Sequence, residues 1–141
     1  MSASGTRNIL LCYDGSTEAR RALERTAEIA GAVASQVTVV SVAEPIYPTP
    51  ALADFADPRD VQAHRRLLGD AARTLRDHGV HAAIVEPTGD TTESIVEVAR
   101  DEHADLIVVG SRHRGLIQRL LSGSVSSKVV ADAPCDVLVV R

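Results

Sequence analysis

The sequence alternates short β-branched runs with longer segments in which apolar residues recur at helical spacing. The β-branched runs predict five strands, at residues 8–13, 37–42, 80–85, 106–109 and 137–140. Two of these runs, 106–109 and 137–140, contain apolar residues alone, as expected for strands of a parallel sheet that is covered on both faces. This alternation restricts the chain to folds in which a helix follows each strand and returns the chain to the same sheet.

Four helices are predicted between the strands. The first follows Asp14-Gly15-Ser16, with Ser16 as its N-cap, and the second has Asp57 as its cap, Pro58 at its first position and Gly79 after its end. The third begins near residues 90–92 and the fourth around Ser124. The predicted apolar stripes are Ala19, Ala22, Leu23, Ala27, Ala30 and Val33; Val61, Leu67, Leu68, Ala71, Ala72 and Leu75; Ile95, Val98 and Ala99; and Val125, Val129 and Val130.

The order βαβαβαβαβ predicts one α/β domain over residues 1–141, a doubly wound five-stranded parallel sheet with helices on both faces. Its hydrophobic fraction of 45% suffices for one core. The longest predicted loop, 44–57, contains three prolines. If the strand order is 3-2-1-4-5, a ligand is expected beyond the carboxyl ends of strands 1 and 4, where the winding reverses. Those ends carry residues 14–16 and 110–115.

Charge is distributed unevenly along the chain. The formal net charge is −4, but the stretch between Asp105 and Asp132 contains no acid and four cations, Arg112, Arg114, Arg119 and Lys128. The remaining residues therefore hold 11 − 19 = −8. An acidic chain of this kind is not a uniformly basic nucleic-acid coat, and its acid-free stretch is a candidate anion site.

Several classes of protein are disfavoured by composition. Two Tyr, one Phe and no Trp cannot build stacking platforms for single-stranded nucleic acid, so no nucleic-acid partner is expected. The first apolar run, 9–12, is too short for a signal or membrane segment, which favours a cytoplasmic protein without membrane contact. Cys12 and Cys135 fall two strands apart in the predicted sheet, so we interpret them as structural thiols rather than a disulfide.

The loop after strand 4 has the glycine spacing of a phosphate-binding P-loop. Leu116 and Ile117, however, occupy the positions of the required Lys and Ser or Thr, so a Walker A loop is excluded. No GxGxxG fingerprint follows strand 1. Gly123-Ser124 opens a helix, and by itself this pair fits either a phosphate-binding helix start or an ordinary helix cap.

Taken together, these segments resemble the universal stress protein family, whose signature is Gly, two residues, Gly, nine residues, then Gly and Ser or Thr. Gly110, His113 and Gly123-Ser124 match every position except the second glycine. The turn at 14–16, the segments 104–110 and 123–126 and the closing 133–140 agree as well. The resemblance covers essentially the whole chain.

The resemblance implies the adenine nucleotide α hydrolase type of fold, with ATP, AMP or cyclic AMP bound between strands 1 and 4 and Mg²⁺ as a further candidate. It implies that Asp14 accepts hydrogen bonds from the ribose hydroxyls and that the backbone near Val42 meets the adenine. It also implies that the phosphates contact the following residues: Gly110, Arg112, Arg114, Gly115, Gly123, Ser124, Val125 and Ser126. The corresponding function is that of a stress-response regulatory protein.

His113 leaves two alternatives open. At a position of positive φ, a histidine strains the backbone and its ring competes with phosphate; in a slightly different loop, it adds a donor beside Arg112 and Arg114. The matching alternative function is a dimeric interaction module that has lost nucleotide. Asp14 also has an alternative role as an ordinary turn residue.

Neither a nucleophile with a poised base nor the SGGxDS and HxGH motifs of related enzymes occurs in the chain. A dedicated enzyme is therefore not expected, and any ATP hydrolysis would be incidental to binding. The resemblance further implies a homodimer formed through the last strand, residues 137–140.

Overall fold

The computed structural model of the protein describes residues 7–41, 58–86, 91–110 and 125–141. Within these ranges the chain alternates strands and helices. The strands are β1 (Asn8–Tyr13), β2 (Gln36–Ser41), β3 (Ala82–Val85), β4 (Leu106–Gly110) and β5 (Asp136–Val140). The helices are α1 (Thr17–Val33), α2 (Pro58–Asp77), α3 (Thr91–Asp101) and α4 (Val125–Asp132).

The strands form one parallel sheet in the order β3-β2-β1-β4-β5, which confirms the predicted fold class. β1 lies at the centre, where Tyr13 is in register with Ser41 of β2 and Cys12 with Val109 of β4. Gly110 pairs with Val140 of the edge strand β5. The winding reverses between β1 and β4, and in a doubly wound sheet such a reversal places a ligand crevice at the carboxyl ends of those two strands.

Alternate residues of the strands bury opposite faces of the sheet. Leu11 faces a cluster built with α1 and α2, whereas Leu10, the preceding residue, faces a cluster built with α3 and α4. Both side chains are at most 1% exposed. The sheet is thus covered on both sides, which explains why the central strands lack the polar alternation of a half-exposed sheet.

The ends of α1 and α2 follow local signals. Ser16 caps α1, since its Oγ accepts a hydrogen bond from the amide of Ala19 at 3.1 Å. After α2, Gly79 adopts a φ of +76° and the amide of Val80 donates to the carbonyl of Leu75. This bond explains a difference from the prediction: Val80 closes the helix, so β3 begins at Ala82 rather than at residue 80.

The start of β2 and two residues of the predicted apolar stripes differ from the predictions. β2 begins at Gln36, one residue earlier than predicted, and the loop predicted over 44–57 lies outside the described residues, as does the Asp57 cap. Val33 and Val130, predicted on apolar stripes, are 51% and 54% exposed. Val33 follows Ala30, the last buried residue of α1, so the helix has already left the core at that point.

Side chains at the amino edge of the sheet join β1 to β4. One carboxylate oxygen of Asp105, Oδ2, accepts from the amides of Arg7 (2.9 Å) and Asn8 (3.0 Å). The Asn8 side chain in turn donates to the carbonyls of Glu102 and His103, just after α3. These bonds connect residues more than 90 positions apart and align the start of β1 with the start of β4.

In the part of the chain that the structure describes, no helix is long and apolar enough to cross a membrane.

Candidate functional site

The candidate site is the crevice at the carboxyl edge of the sheet, between the ends of β1 and β4. Tyr13 and Gly110 are the last residues of the two strands, and both are buried. The residue after Tyr13 is Asp14, which is half-buried at this edge of the sheet. This is the edge at which parallel α/β sheets bind their ligands.

A tight turn holds the Asp14 carboxylate. Its Oδ1 atom accepts a hydrogen bond from the amide of Ser16 at 2.9 Å, an Asx turn, and Gly15 between them has a φ of +80°. Ser16 then caps α1. Asp14 therefore does have the turn role considered from the sequence, and the same bond orients its carboxylate.

The turn packs against α2. A Cβ atom placed on Gly15 would lie 3.1 Å from both methyl carbons of Leu67. Leu67 is half-buried beside the cluster formed by β1, α1 and α2. In the sequence, Leu67 belongs only to the apolar stripe of α2, and no local pattern connects it to a glycine 52 positions earlier. Its contact with the turn is a tertiary feature.

Gly110 packs against the backbone of the first turn of α1. A Cβ atom on Gly110 would lie 2.6 Å from the carbonyl carbon of Glu18 and 2.7 Å from its oxygen. It would also lie 2.8 Å from the amide nitrogen of Ala19. The atoms that it would meet belong to the backbone of a helix and cannot rotate away, so only glycine fits here without movement of α1 or β4.

The charges around the turn are acidic. Glu18 is half-buried in the first turn of α1, where its negative charge interacts favourably with the positive end of the helix dipole. The neighbouring thiol of Cys12 is completely buried; desolvation, aided by the negative charge of Asp14, raises its pKa to about 12. Cys12 is consequently protonated at neutral pH and is not a nucleophile.

The structure brings two of the predicted site residues, Asp14 and Gly110, to the same edge of the sheet, and both lie next to the start of α1. Val125 and Ser126 are the first two residues of α4, and only their backbone is described. The remaining predicted site residues lie outside the described residues, together with His113: Val42, Arg112, Arg114, Gly115, Gly123 and Ser124. Among the described residues, no cluster of three or more His, Cys, Asp or Glu side chains could hold a metal ion.

The strand order and this crevice define a doubly wound α/β protein with its candidate site at the β1–β4 switch point. A profile of the universal stress protein family matches residues 5–141. A universal stress protein of Thermus aquaticus is 36% identical over 137 residues, which cover 96% of this chain and 98% of that relative. The chain belongs to the universal stress protein family.

Solved structures agree with this assignment. A universal stress protein family member from Burkholderia pseudomallei is 29% identical with a TM-score of 0.72, covering 99% of this chain and 98% of that chain. A family member from Arabidopsis thaliana with AMP bound is 24% identical with a TM-score of 0.69, covering 95% and 90% of the two chains. Other solved universal stress proteins of this fold are complexes with cyclic AMP and with dAMP.

Proposed function

We propose that the protein is a stress-response regulatory protein that binds ATP, or a related adenine nucleotide, in the crevice between β1 and β4. The observation that carries this proposal is the convergence of two strand ends of different character. β1 is followed by an oriented carboxylate, Asp14, whereas β4 is followed by the first cations of the acid-free stretch, Arg112 and Arg114. The complexes of structurally similar family members with AMP, cyclic AMP and dAMP support an adenine nucleotide as the ligand.

The two sides suit the two ends of a nucleotide. A carboxylate accepts hydrogen bonds from ribose hydroxyls, and Asp14 is already oriented by its bond to the Ser16 amide. The cations of the acid-free stretch suit the phosphates, with Arg112 and Arg114 nearest in sequence to Gly110. In this proposal Gly115, Gly123, Ser124, Val125 and Ser126 line the phosphates. The adenine lies near Val42, the residue after Ser41, which is paired with Tyr13.

The decisive experiment tests for the nucleotide directly. Freshly purified protein is denatured and the released small molecules are identified, and calorimetry then measures binding of ATP, AMP and cyclic AMP with and without Mg²⁺. An adenine nucleotide that is released, or that binds with micromolar affinity, supports the proposal. No release, and no binding at millimolar concentration, refutes it and favours the alternative of an interaction module without nucleotide.

Two substitutions of Asp14 separate its role in the turn from its role in binding. Asp14→Asn keeps an oxygen that can accept from the Ser16 amide, so we expect little change in stability but nucleotide affinity about tenfold weaker, because a charged acceptor is replaced by a neutral one. Asp14→Ala removes the acceptor as well and should also cost about 1 kcal/mol of stability.

Calorimetry and thermal unfolding measure the two effects, and Asp77→Asn, an exposed acid at the end of α2, is the matched control. Unchanged affinity in both Asp14 variants would show that Asp14 is a turn residue only.

We also propose a homodimer that pairs β5 of one protomer with β5 of another. β5 is an edge strand, and beside it a groove of about 660 Å³ runs along α1, with Ile29, Leu138 and Val140 half-buried in it. Pairing would cover this groove and the free edge. Light scattering should give a mass near twice 14.9 kDa for the wild type.

Val139→Lys, at a site 39% exposed, should give monomers, and Val130→Lys, at an exposed site in α4, should not. A wild type that remains monomeric at micromolar concentration contradicts the proposal.

A further inference from the structure

Gly110 was expected to contact the phosphates, but its surroundings indicate another role. Its missing side chain faces the backbone of α1, with Glu18 and Ala19 less than 3 Å from the position of a Cβ. The atoms nearest to the position of this Cβ are the carbonyl carbon and oxygen of Glu18. They belong to the first turn of α1, which begins at Thr17 after the Ser16 cap. Gly110 therefore determines how closely the end of β4 approaches the start of α1.

That start of α1 is also the element that carries the candidate ligand group. The turn from Asp14 to Ser16 runs directly into the helix, and the amide of Ser16 holds the Asp14 carboxylate. The turn also contacts Leu67 of α2, whose methyl carbons lie 3.1 Å from the position of a Gly15 Cβ. The turn and the start of α1 are thus fixed by two packing contacts, and a displacement of α1 at Gly110 would change the position of the carboxylate.

We propose that Gly110 is a positioning residue, which sets the place of the Asp14 carboxylate through the first turn of α1 and does not act through a contact with phosphate. This inference deepens the proposed nucleotide function and rests on it. In α/β proteins a glycine often allows a helix to approach a strand closely. Here the part of the ligand that depends on this approach is the nucleoside, and not the phosphates.

The test compares adenosine with ATP in the Gly110→Ala variant. A displaced Asp14 weakens the contact with ribose, which both ligands share, so we expect affinity for both to fall by the same factor, about tenfold or more. Loss of ATP affinity with adenosine affinity unchanged would overturn the inference, because it would identify Gly110 as a phosphate contact. Equal affinity of wild type and variant for both ligands would overturn it too.

A second readout needs no nucleotide. In amide NMR spectra of the free protein, Gly110→Ala should move the signals of residues 14–20 and leave those of α3 in place. If the signals of residues 14–20 do not move, the inference is overturned, whether or not the wild type binds nucleotide. If these signals move but the wild type binds no nucleotide, the nucleotide function is refuted and the role of Gly110 is confined to placing the turn.

The controls are Gly31→Ala and Gly69→Ala, since a Cβ on either helical glycine meets nothing within 4 Å, and neither should alter binding.

Should Gly110→Ala fail to fold, Ser16→Ala provides the second route. It removes the side-chain bond to Ala19 and loosens the same first turn without touching β4. The expected pattern is again an equal fold-loss for adenosine and ATP. A loss confined to ATP, or no loss for either ligand, overturns the inference that the first turn of α1 places the nucleoside group.

Discussion

Replacing Asp105 by Asn tests the contact that aligns β1 with β4. One oxygen of the Asp105 carboxylate accepts two amide hydrogen bonds, from Arg7 and Asn8, at 2.9 and 3.0 Å. The variant retains an oxygen acceptor but loses the negative charge. Charge-assisted bonds are about twice as strong as neutral ones, yet this carboxylate is exposed, so solvent reduces the difference. We expect a loss of about 1 kcal/mol in the free energy of unfolding.

For a chain of 141 residues, that loss lowers the melting temperature by about 3 °C.

The pH dependence identifies the cause. The bonds from the amides of Asn8 and Arg7 lower the pKa of Asp105 below its usual value near 3.9. Because the folded-state pKa is the lower one, the carboxylate stabilises the fold above the unfolded-state pKa, and this contribution is lost as the pH falls through the folded-state pKa. The difference between wild type and Asp105→Asn should therefore be full at pH 5–7 and shrink below about pH 4.

Urea unfolding followed by circular dichroism at several pH values between 3 and 7 measures this difference. Glu97→Gln, which removes an exposed charge from α3, is the control and should change stability little at any of these pH values. An Asp105→Asn deficit that stays constant down to pH 3 would refute the argument, because it would show that the ionised carboxylate is not what the two amides recognise.

Two further predictions concern glycines and thiols. Gly69→Ala, inside α2 with open space around the new methyl group, should stabilise the protein by about 0.5–1 kcal/mol. Gly79→Ala, at a φ of +76°, should destabilise it by about 1–2 kcal/mol. The two variants should therefore shift the melting temperature in opposite directions. Burial raises the pKa of Cys12 to about 12, so this thiol should not react with a thiol reagent at pH 8 until the protein is unfolded. Burial also raises the pKa of the half-buried Cys135, which should react slowly in the native state. Rapid reaction of two thiols per native chain would contradict this prediction.

Much of the fold was predictable because its signals are local. Strand runs, the Ser16 cap and the Gly79 stop depend on neighbouring residues, and their alternation predicts a doubly wound parallel sheet. The structure confirms this sheet with the common 3-2-1-4-5 order that was assumed for it. The predictions were wrong at the ends of elements, where a helix cap or a tertiary contact overrides the preference of a single residue. Val80, for example, is β-branched and favours a strand, but its amide donates to the carbonyl of Leu75 and closes α2.

The candidate site divides in the same way. From sequence, the order of elements and the charge pattern sufficed to bring Asp14 and Gly110 to one crevice, since parallel strands end at a common edge. The particular role of each residue was not readable. A glycine whose backbone contacts phosphate and a glycine that allows a helix to pack closely cannot be told apart in a sequence motif. The distinction depends on which atoms lie within 3 Å of the position that a Cβ would occupy.

The sequence by itself determined the class of fold, the position of the switch point and the family, because periodicity, caps and motifs act over a few residues. Only the tertiary structure decided that the backbone of Glu18 rests on Gly110, that Leu67 contacts Gly15 and that Asp105 holds the start of β1. These contacts join residues some 50 to 100 positions apart, or depend on the close packing of two elements, and nothing in a local pattern specifies such distances.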